Sequence, residues 1–339
     1  MRPSTIVRRA LRRPLPPARQ MRVVSEPNPE EPDLLGDFRL FAILGSWMEE
    51  DVVEATIRNA FAQGVETVYL IDNDSTDATV DRAIAAGATL VERFHTELYE
   101  ERVRILLMNS AVARISLASG EDHIWWLWMD ADEFPEGPDG LTIREYLGTL
   151  DRRFRIVGGS YYNHFPVEKP ESLPGFHPVD LQPMCELFAP VRPRYCFQPH
   201  WKHPLQRFDR AGPFMMSIMG FHTATLLMGE EVLEPTGGIV GHHVQYREES
   251  NTRARMELLC GGGDRNQYHH ATGNKSMRRR FKTLDAIYSQ SWAEADNLGA
   301  GHGVDPKPWV YESPPIRWYD ASDLKEAVAA WRLQQALVD

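Results

Sequence analysis

About a third of the way along the chain, the sequence reads Trp125-Trp126-Leu127-Trp128-Met129-Asp130-Ala131-Asp132-Glu133-Phe134. The run before the first aspartate carries no charge and has the length of a buried strand. Ligands of open α/β sheets bind outside the carboxyl ends of the strands, which is where such a strand delivers its two carboxylates. The segment therefore predicts a buried strand that ends in a ligand site.

The two aspartates of this segment suit a divalent cation. Carboxylate oxygens are the ligands that Mg²⁺ and Mn²⁺ prefer, and a single strand end leaves other ligand positions for substrate phosphates and water. The alternative for Asp130 and Asp132 is a turn with solvated acids after a core strand. The flanking segments decide between these two interpretations.

The composition restricts the class of protein. With 339 residues, 42% of them apolar and 25% charged, the chain can bury one large core or two modest ones. A formal charge of -11 argues against a sequence-independent nucleic-acid binder, which needs clustered Lys and Arg. Cys185, Cys196 and Cys260 are widely spaced and form neither a disulfide scaffold nor a zinc module. The absence of a long apolar run and of a secretory signal predicts a cytoplasmic protein without a transmembrane segment.

The first half of the chain alternates strand and helix patterns. Strands are predicted at Phe38–Leu44, Val68–Ile71 and Thr89–Glu92, and helices at Glu50–Gln63, Ala78–Ala86 and Leu98–Leu117. This alternation with short turns predicts a doubly wound α/β unit. The Gly-x-Gly-x-x-Gly fingerprint of dinucleotide-binding folds is missing. In the long third helix we expect the packing positions to be Val103, Leu106, Leu107, Ser110 and Ile115.

The ends of the chain follow a different pattern. Residues 1–36 are rich in arginine and then in proline and acids, which predicts a flexible basic and proline-rich arm. From Pro166 to Pro213 the prolines predict loops and short strands at the floor and rim of a site. Residues 261–339 are expected to form a C-terminal extension of helices and extended chain. The main folded unit is expected over residues 37–260.

A second acidic segment, Asp72-Asn73-Asp74-Ser75-Thr76-Asp77, follows the second predicted strand. Together with Asp130-Ala131-Asp132-Glu133-Phe134 it resembles the bacterial family-2-like glycosyltransferases of the GT-A fold, of the Asp-x-Asp type. The resemblance covers Phe38 to Phe134 and is patchy to about residue 260. It implies a GT-A-like doubly wound mixed sheet flanked by helices, with an irregular C-terminal acceptor-side region. Residues 37–135 would then be the nucleotide-binding half and residues 136–260 the acceptor-side half.

The resemblance also implies roles for the acids. Asp72 and Asp74 would contact the base or ribose of a nucleotide, although they can equally cap the next helix. Asp130 and Asp132 would hold Mn²⁺ or Mg²⁺ against the diphosphate, with Asp132 favoured as the direct ligand. Asp130 counts among the nucleotide-binding residues as well.

Basic residues later in the chain complete this expected site. His242-His243-Val244-Gln245-Tyr246-Arg247 resembles the family's His-Tyr-x-x-Arg-Ser segment, except that Val244 replaces an aromatic residue. The alignment favours His243 over His242 as a metal ligand. Arg247 is expected to bind a phosphate, or else to pair with Glu248 or Glu249. Lys202 and Arg207 resemble a Lys-x-x-x-Arg stretch near the diphosphate, or they are structural.

The catalytic base is not fixed by spacing. An inverting transfer needs a carboxylate that takes the acceptor's proton, and the candidates are Glu186, Asp180, Asp209, Glu168 and Glu133. Glu186 is preferred because it lies between apolar residues, where desolvation would raise its pKa. The alternative is an acid at the edge of the core in an ion pair.

These patterns predict a metal-dependent glycosyltransferase that moves a sugar from a nucleoside diphosphate sugar to a hydroxyl acceptor. The acceptor is expected to be a small molecule or a soluble glycan. One alternative is a non-catalytic protein that binds sugar nucleotides. A nucleotidyltransferase is the other, but the segment Gly45–Glu50 after the first strand does not resemble the Gly-rich, Arg-containing loop of those enzymes.

Overall fold

The chain folds around one mixed sheet flanked by helices. The computed structural model describes residues 22–96, 100–187, 201–221, 224–226, 231–261, 274–295 and 303–335. The elements of the first half are β1 (Arg22–Glu26), β2 (Arg39–Ser46), α1 (Val53–Ala62), β3 (Thr67–Asp72), α2 (Thr79–Ala85), β4 (Thr89–Arg93), α3 (Glu101–Ser119) and β5 (His123–Asp130). Each predicted strand and helix of this half is present, with ends that differ by a few residues.

The second half combines short strands with helices. Its elements are β6 (Glu133–Glu136), α4 (Ile143–Gly148), β7 (Ile156–Phe165), α5 (Pro178–Leu181), β8 (Met184–Leu187), β9 (Trp201–Asp209), β10 (Met215–Ser217), β11 (Ala224–Leu226), β12 (Glu231–Pro235), β13 (Ile239–His243), α6 (Glu249–Gly261), α7 (Asn274–Tyr288), β14 (Lys307–Pro308) and α8 (Leu324–Gln335). Among the described residues, no helix is both long enough and apolar enough to span a bilayer.

The strand order creates a topological switch point at one edge of the sheet. The central sheet has the order β14-β8-β7-β9-β5-β2-β3-β4, and β13 joins it by pairing with β6 and β7. Strands β5, β2, β3 and β4 run parallel to one another, whereas β9 runs antiparallel to β5. The connections from β2 proceed outward to β3 and β4, and β5 then returns to the other side of β2. The carboxyl ends of β2 and β5 therefore form the topological switch point, where open α/β sheets bind ligands.

Side chains on the two faces of the sheet pack into separate cores. On β2, Leu40, Ala42 and Leu44 pack with α1 and α2, while Phe41 and Ile43 pack with α3 on the opposite face. Successive side chains of a strand point to opposite faces, so a strand covered by helices on both sides is apolar throughout. The continuous apolar pattern of β2 and β5 follows from this double coverage.

The buried face of α3 agrees only in part with the predicted one. Leu107 and Ile115 are partly buried and pack against the core, whereas Leu106 and Ser110, which we also expected to pack, are exposed. The buried residues of this helix are Glu101, Arg104, Ile105, Met108, Asn109, Ala111, Val112 and Ser116. Glu101 and Arg104 are charged although they are buried. Apolar periodicity alone therefore misses them and predicts a buried face that is rotated about the helix axis.

The N-terminal arm becomes part of the fold before residue 36. Strand β1 pairs in parallel with β12, and Leu34 forms a bridge with Asp151. Asn28 accepts a backbone hydrogen bond from Asp151 at 3.0 Å. The predicted boundary at residue 36 is therefore wrong, because β12 offers a strand edge that the arm's own sequence does not reveal. The arginine-rich part up to residue 21 lies outside the described residues.

A proline inside β9 explains why that strand was not predicted. Pro204 lies within a nine-residue strand that pairs with both β5 and β7. Proline lacks the N–H that a ladder needs, and it is usually confined to edges and bulges. Here the pairing of β7 with β9 shifts register between Val157 and Gly159, beside Leu205. The bulge accommodates Pro204 in the interior of the sheet. Much of the proline-rich segment, residues 188–200, lies outside the described residues.

Candidate functional site

Three strand ends meet at the switch point between β2 and β5. β2 ends at Ser46, β3 at Asp72 and β5 at Asp130. The registers place Ser46 beside Asp72 and Gly45 beside Asp130. The two acidic segments are therefore brought to one edge of the sheet. We call this edge, together with the end of β13 at His243, the candidate site.

Asp72 organises the loop that follows β3. Its side chain is fully buried. The carboxylate accepts hydrogen bonds from Ser46 Oγ at 3.0 Å, from Ser75 Oγ at 2.6 Å and from the Ser75 backbone N–H at 2.8 Å. Both of its oxygens are engaged by protein donors within the site. Asp72 therefore stabilises the loop after β3 and does not cap α2, whose N-cap residue is Ala78.

Asp74 is the acid of this segment that faces outward. It adopts a positive φ of 53°, a conformation that Asn and Asp tolerate better than most residues. Its carboxylate lies 3.4 Å from Arg93 Nη2 and 3.4 Å from His95 Nδ1. These three exposed polar side chains form one edge of the loop after β3.

Asp130 faces a buried arginine of α3. Arg104 Nη1 donates to Asp130 Oδ1 at 2.7 Å, and Lys202 Nζ lies 3.7 Å from Asp130 Oδ2. Burial alone raises the pKa of the Asp130 carboxyl, but Arg104 and Lys202 outweigh burial and hold this pKa below its ordinary value. A Cβ at Gly45 would meet the Arg104 side chain at 2.9 Å, so glycine is required where the arginine crosses β2.

Lys202 is buried among carboxylates. On β9 it binds Glu133 directly, and its ammonium lies 5.3 Å from the centre of the Tyr161 ring. Burial lowers the pKa of Lys202, but Glu133 and Asp130 more than compensate and raise it above its ordinary value. Burial raises the pKa of the Glu133 carboxyl, Asp130 adds to this shift, and Lys202 offsets it only in part. Lys202 is thus a cation held at the candidate site.

Asp132 faces His243, as the sequence predicts. The Asp132 backbone carbonyl accepts from the Val244 N–H at 2.9 Å, which fixes the strand end of β13 beside the loop after β5. Asp132 Oδ2 then lies 3.5 Å from His243 Nε2. Burial raises the pKa of Asp132, but His243 and the nearby Arg255 and Arg247 hold it far below its ordinary value. Asp132 is therefore a carboxylate at any physiological pH.

Asn163 sets the tautomer of His243. Asn163 Oδ1 lies 2.9 Å from His243 Nδ1 and also accepts from Gln245 Nε2 at 3.2 Å. An amide oxygen only accepts, so Nδ1 carries a proton, and Nε2 is the nitrogen that faces Asp132 and offers a lone pair to a metal ion when the imidazole is neutral. A histidine that ligates a metal usually donates its other N–H to a partner of this kind.

His242 points away from Asp132. It is fully buried, with Nδ1 2.9 Å from His164 Nε2 and its ring 4.8 Å from that of Trp309. Because adjacent residues of a strand face opposite sides, β13 presents only one of the two histidines to the candidate site. The structure brings His243 to Asp132 and keeps His242 in the interior.

Arg247 is fixed by the loop that follows β2. Its Nε donates to Asp51 Oδ2 at 2.7 Å, and Nη2 binds Glu49. Nη1 lies 3.9 Å from Asp132 Oδ2. The predicted alternative, a surface ion pair with Glu248 or Glu249, is therefore wrong, because the side chain turns inward and is almost completely buried. Arg247 joins the candidate site beside Asp132.

Arg207 does not join the candidate site. It pairs with Trp125 near the start of β5, at the opposite end of that strand from Asp130. Its guanidinium binds Asp209 at 2.8 Å and the Phe154 carbonyl at 3.0 Å. Arg207 therefore has the structural role that we gave as the alternative, because its contacts join the ends of β9 and β7 that lie far from Asp130.

The candidate bases have different surroundings. Glu186 on β8 is the strand neighbour of Asn163 on β7, so both side chains lie on one face. Desolvation raises the pKa of this half-buried carboxyl, and a hydrogen bond from the Asp305 backbone N–H opposes the shift. Asp180 is bound to Arg317 at 3.0 Å, and Asp209 is bound to Arg207 and to Arg155.

The remaining two candidates are held elsewhere. Glu133 is bound to Lys202, which restrains it close to the switch point. Glu168 lines a cavity of about 210 Å³ together with Lys169, Glu249, Tyr288 and Gln290. Asp180 and Asp209 are committed to arginines, whereas Glu186 combines a raised pKa with a position next to Asn163.

Asp132 and His243 fit a divalent ion only if further ligands come from elsewhere. Across the ranges that the structure describes, no group of three or more His, Cys, Asp or Glu side chains is arranged to hold a metal ion. Asp130, the third predicted ligand, faces Arg104 instead. Mg²⁺ commonly binds one or two carboxylates and completes its ligands with substrate phosphates and water. Asp132 and His243 could therefore supply two ligands to an ion whose remaining ligands come from phosphate and water.

Several residues of the candidate site have no clear local signal in the sequence. Arg104 lies on the buried face of α3, which the apolar pattern did not identify. A correct prediction of that face would have pointed to this arginine. Asn163 lies within an ordinary strand pattern. Arg255 Nη2 lies 3.5 Å from Asp132 Oδ2, although the two residues are 123 positions apart in the chain. Contacts of this kind depend on how the second half folds back.

Comparison with known proteins gives partial structural similarity. No protein-family model matches the chain, and no curated protein matches it. The glucosyl-3-phosphoglycerate synthase from Mycobacterium tuberculosis with Mg²⁺ and uridine diphosphate is 22% identical, with 36% of this chain and 43% of that chain covered and a TM-score of 0.25. The chain thus spans less than half the length of that structure.

Two further structures of the same enzyme cover more of the chain. The complex with Mn²⁺, uridine diphosphate and glucosyl-3-phosphoglycerate is 16% identical over 59% of this chain and 71% of that one, with a TM-score of 0.27. The complex with phosphoglyceric acid is 17% identical over 65% and 79%, with a TM-score of 0.28.

Proposed function

We propose that this protein is a metal-dependent glycosyltransferase that transfers a sugar from a nucleoside diphosphate sugar to a hydroxyl acceptor. The observation that carries the proposal is the approach of Asp132 and His243 at the switch point of the sheet, 3.5 Å apart. These residues come from the two segments that resemble family-2-like glycosyltransferases, far apart in sequence. The Asn163 contact further supports a ligand role for His243, because a proton on Nδ1 leaves Nε2 as the nitrogen that can bind a metal ion.

In this proposal the donor diphosphate lies between cationic side chains. Two cationic side chains lie beside the acids of the candidate site. Asp51 holds Arg247 there, and Glu133 holds Lys202. Mn²⁺ or Mg²⁺ at Asp132 and His243 would neutralise the diphosphate as it leaves. Asp130 acts indirectly, because it positions Arg104 and Lys202. Asp74 and its basic neighbours are suited to the ribose.

Glu186 is the base that we propose for the acceptor. The acceptor oxygen bonds to the anomeric carbon, its proton passes to the Glu186 carboxylate, and the diphosphate departs with the electrons of the broken bond. A raised pKa suits this role because a base works best when its pKa is close to the working pH. The raised pKa of Glu186 arises first from burial.

The decisive experiment measures donor binding and transfer in the Asp132→Asn variant. Nucleotide sugars are screened for thermal stabilisation with and without Mn²⁺, since a ligand at 100 times its dissociation constant adds about 2.7 kcal/mol to the folded state. We expect Asp132→Asn to lose metal-dependent stabilisation and turnover together, while Asp37→Asn, on an exposed loop, loses neither. Unchanged turnover in Asp132→Asn would refute the proposal. Metal-dependent binding without donor hydrolysis or transfer would favour a non-catalytic binder.

A further inference from the structure

The carboxylate proposed to bind the metal is already surrounded by cations. Asp132 Oδ2 lies 3.5 Å from His243 Nε2, 3.5 Å from Arg255 Nη2 and 3.9 Å from Arg247 Nη1. A dication at this oxygen would enter a space that faces two guanidinium groups. Like charges at such distances repel strongly inside a protein, where screening by water is weak. At least one arginine must therefore move away when the ion binds.

The two arginines are anchored to different degrees. Arg247 is bound by both Asp51 and Glu49, is almost completely buried, and its backbone carbonyl accepts from Tyr288 Oη at 2.7 Å. Arg255 projects from α6 and donates through Nη2 to Glu49 Oε1 at 2.8 Å. Its side chain is 20% exposed, against 8% for that of Arg247.

The weaker anchor identifies the arginine that moves. Displacing Arg247 would leave the buried Asp51 without its arginine partner, which is costly for a buried ion pair. Displacing Arg255 breaks its contacts with Glu49 at 2.8 Å and with Asp132 at 3.5 Å, but Glu49 keeps Arg247 as its partner. Arginine has a fork of donors that suits phosphate oxygens. A diphosphate beside the proposed ion offers such oxygens within reach of α6.

We propose that Arg255 lies on the side of Asp132 where the metal ion binds, and that it moves to the donor diphosphate when the ion arrives. This inference rests on the proposed function, since it requires the ion at Asp132. Arg255 is then a positioning residue that couples the two ligands. The ion alone binds weakly because it competes with the guanidinium, and it binds tightly when a diphosphate receives the displaced arginine. By linkage, each ligand raises the affinity of the other by the same factor.

The test measures Mn²⁺ and inorganic pyrophosphate binding separately and together. Free Mn²⁺ is followed by electron paramagnetic resonance, and pyrophosphate binding by calorimetry, for the full chain and for Arg255→Met. Arg253→Met is the matched control, because Arg253 lies on the same helix but pairs with Glu249 and Asp285. Arg255→Lys retains the charge and serves as the conservative variant.

We expect Arg255→Met to bind Mn²⁺ alone about tenfold more tightly than the natural chain, and to bind pyrophosphate with Mn²⁺ about tenfold more weakly. Arg253→Met should match the natural chain, and Arg255→Lys should keep the weak binding of Mn²⁺ alone. A gain in metal affinity is not what a misfolded variant shows. Equal or weaker Mn²⁺ binding by Arg255→Met overturns the inference while leaving the proposed function intact. If the natural chain binds no Mn²⁺ even with pyrophosphate, both fail.

Discussion

Replacing Asn163 tests whether His243 is prepared for a metal ion. In Asn163→Ala the acceptor for Nδ1 is removed, and the imidazole is free to carry its proton on Nε2 instead. That proton would face Asp132 Oδ2, 3.5 Å away, and block the position proposed for the ion. Losing a partner of this kind weakens metal binding by about 10- to 100-fold, which is about 1.4 to 2.7 kcal/mol.

The assay titrates Mn²⁺ in the presence of saturating pyrophosphate and compares three variants of one hydrogen-bonded group. Asn163→Asp keeps an acceptor at the same place and adds a negative charge, so its Mn²⁺ affinity should be at least that of the natural chain. Gln245→Ala removes the second donor to Asn163 but leaves the contact with His243, so it should stay within about twofold. Each variant is first checked for cooperative thermal unfolding.

Two outcomes would refute the reasoning about the tautomer. If Asn163→Ala bound Mn²⁺ as tightly as the natural chain, the contact with Asn163 would be irrelevant to the metal. If Asn163→Asp lost as much affinity as Asn163→Ala, the effect would come from disturbed packing, since Asn163 is only 1% exposed.

The other predictions concern a buried ion pair and the proposed base. Arg317 is bound to Glu136 at 2.7 Å and to Asp180 at 3.0 Å, so Arg317→Met should lower the free energy of unfolding by about 3 to 5 kcal/mol, as measured by urea denaturation. A loss below about 1 kcal/mol would contradict this. Folding raises the pKa of Glu186 above 4.5, so its contribution to stability is present below that pH and is lost as the pH rises through the folded value. The Tm of the natural chain should therefore fall relative to that of Glu186→Gln as the pH rises above 4.5. The same variant should lose transfer but keep nucleotide affinity. Parallel Tm curves or normal turnover would argue against the assignment.

Local patterns were sufficient for the architecture of the first half. Strands β2 and β5 are apolar throughout because helices cover both faces of the sheet, and this pattern is visible without knowledge of any contact. Their ends were also predictable, since the acids begin where burial stops. Asp72, Asp130 and Asp132 consequently lie at one edge of the sheet, as the sequence indicates.

The partners of these acids depended on tertiary structure. Asp130 was predicted to bind metal, but Arg104 reaches it from the opposite layer across Gly45. Arg207 was predicted to bind phosphate, but the antiparallel course of β9 carries it to the far end of β5. Both outcomes follow from strand direction and helix rotation, which a local pattern does not encode.

The sequence by itself determined strands β2 to β5, the places where they end, and the gathering of acids at the switch point. This is possible because alternation and apolar content reflect burial residue by residue. The resemblance favoured His243 over His242, but the tertiary structure was needed to place His243 against Asp132 and to surround them with Asn163 and Arg255. Those choices depend on the register of β13 against β7 and on where α6 packs, and a shift of one residue in that register would turn the other histidine towards the site.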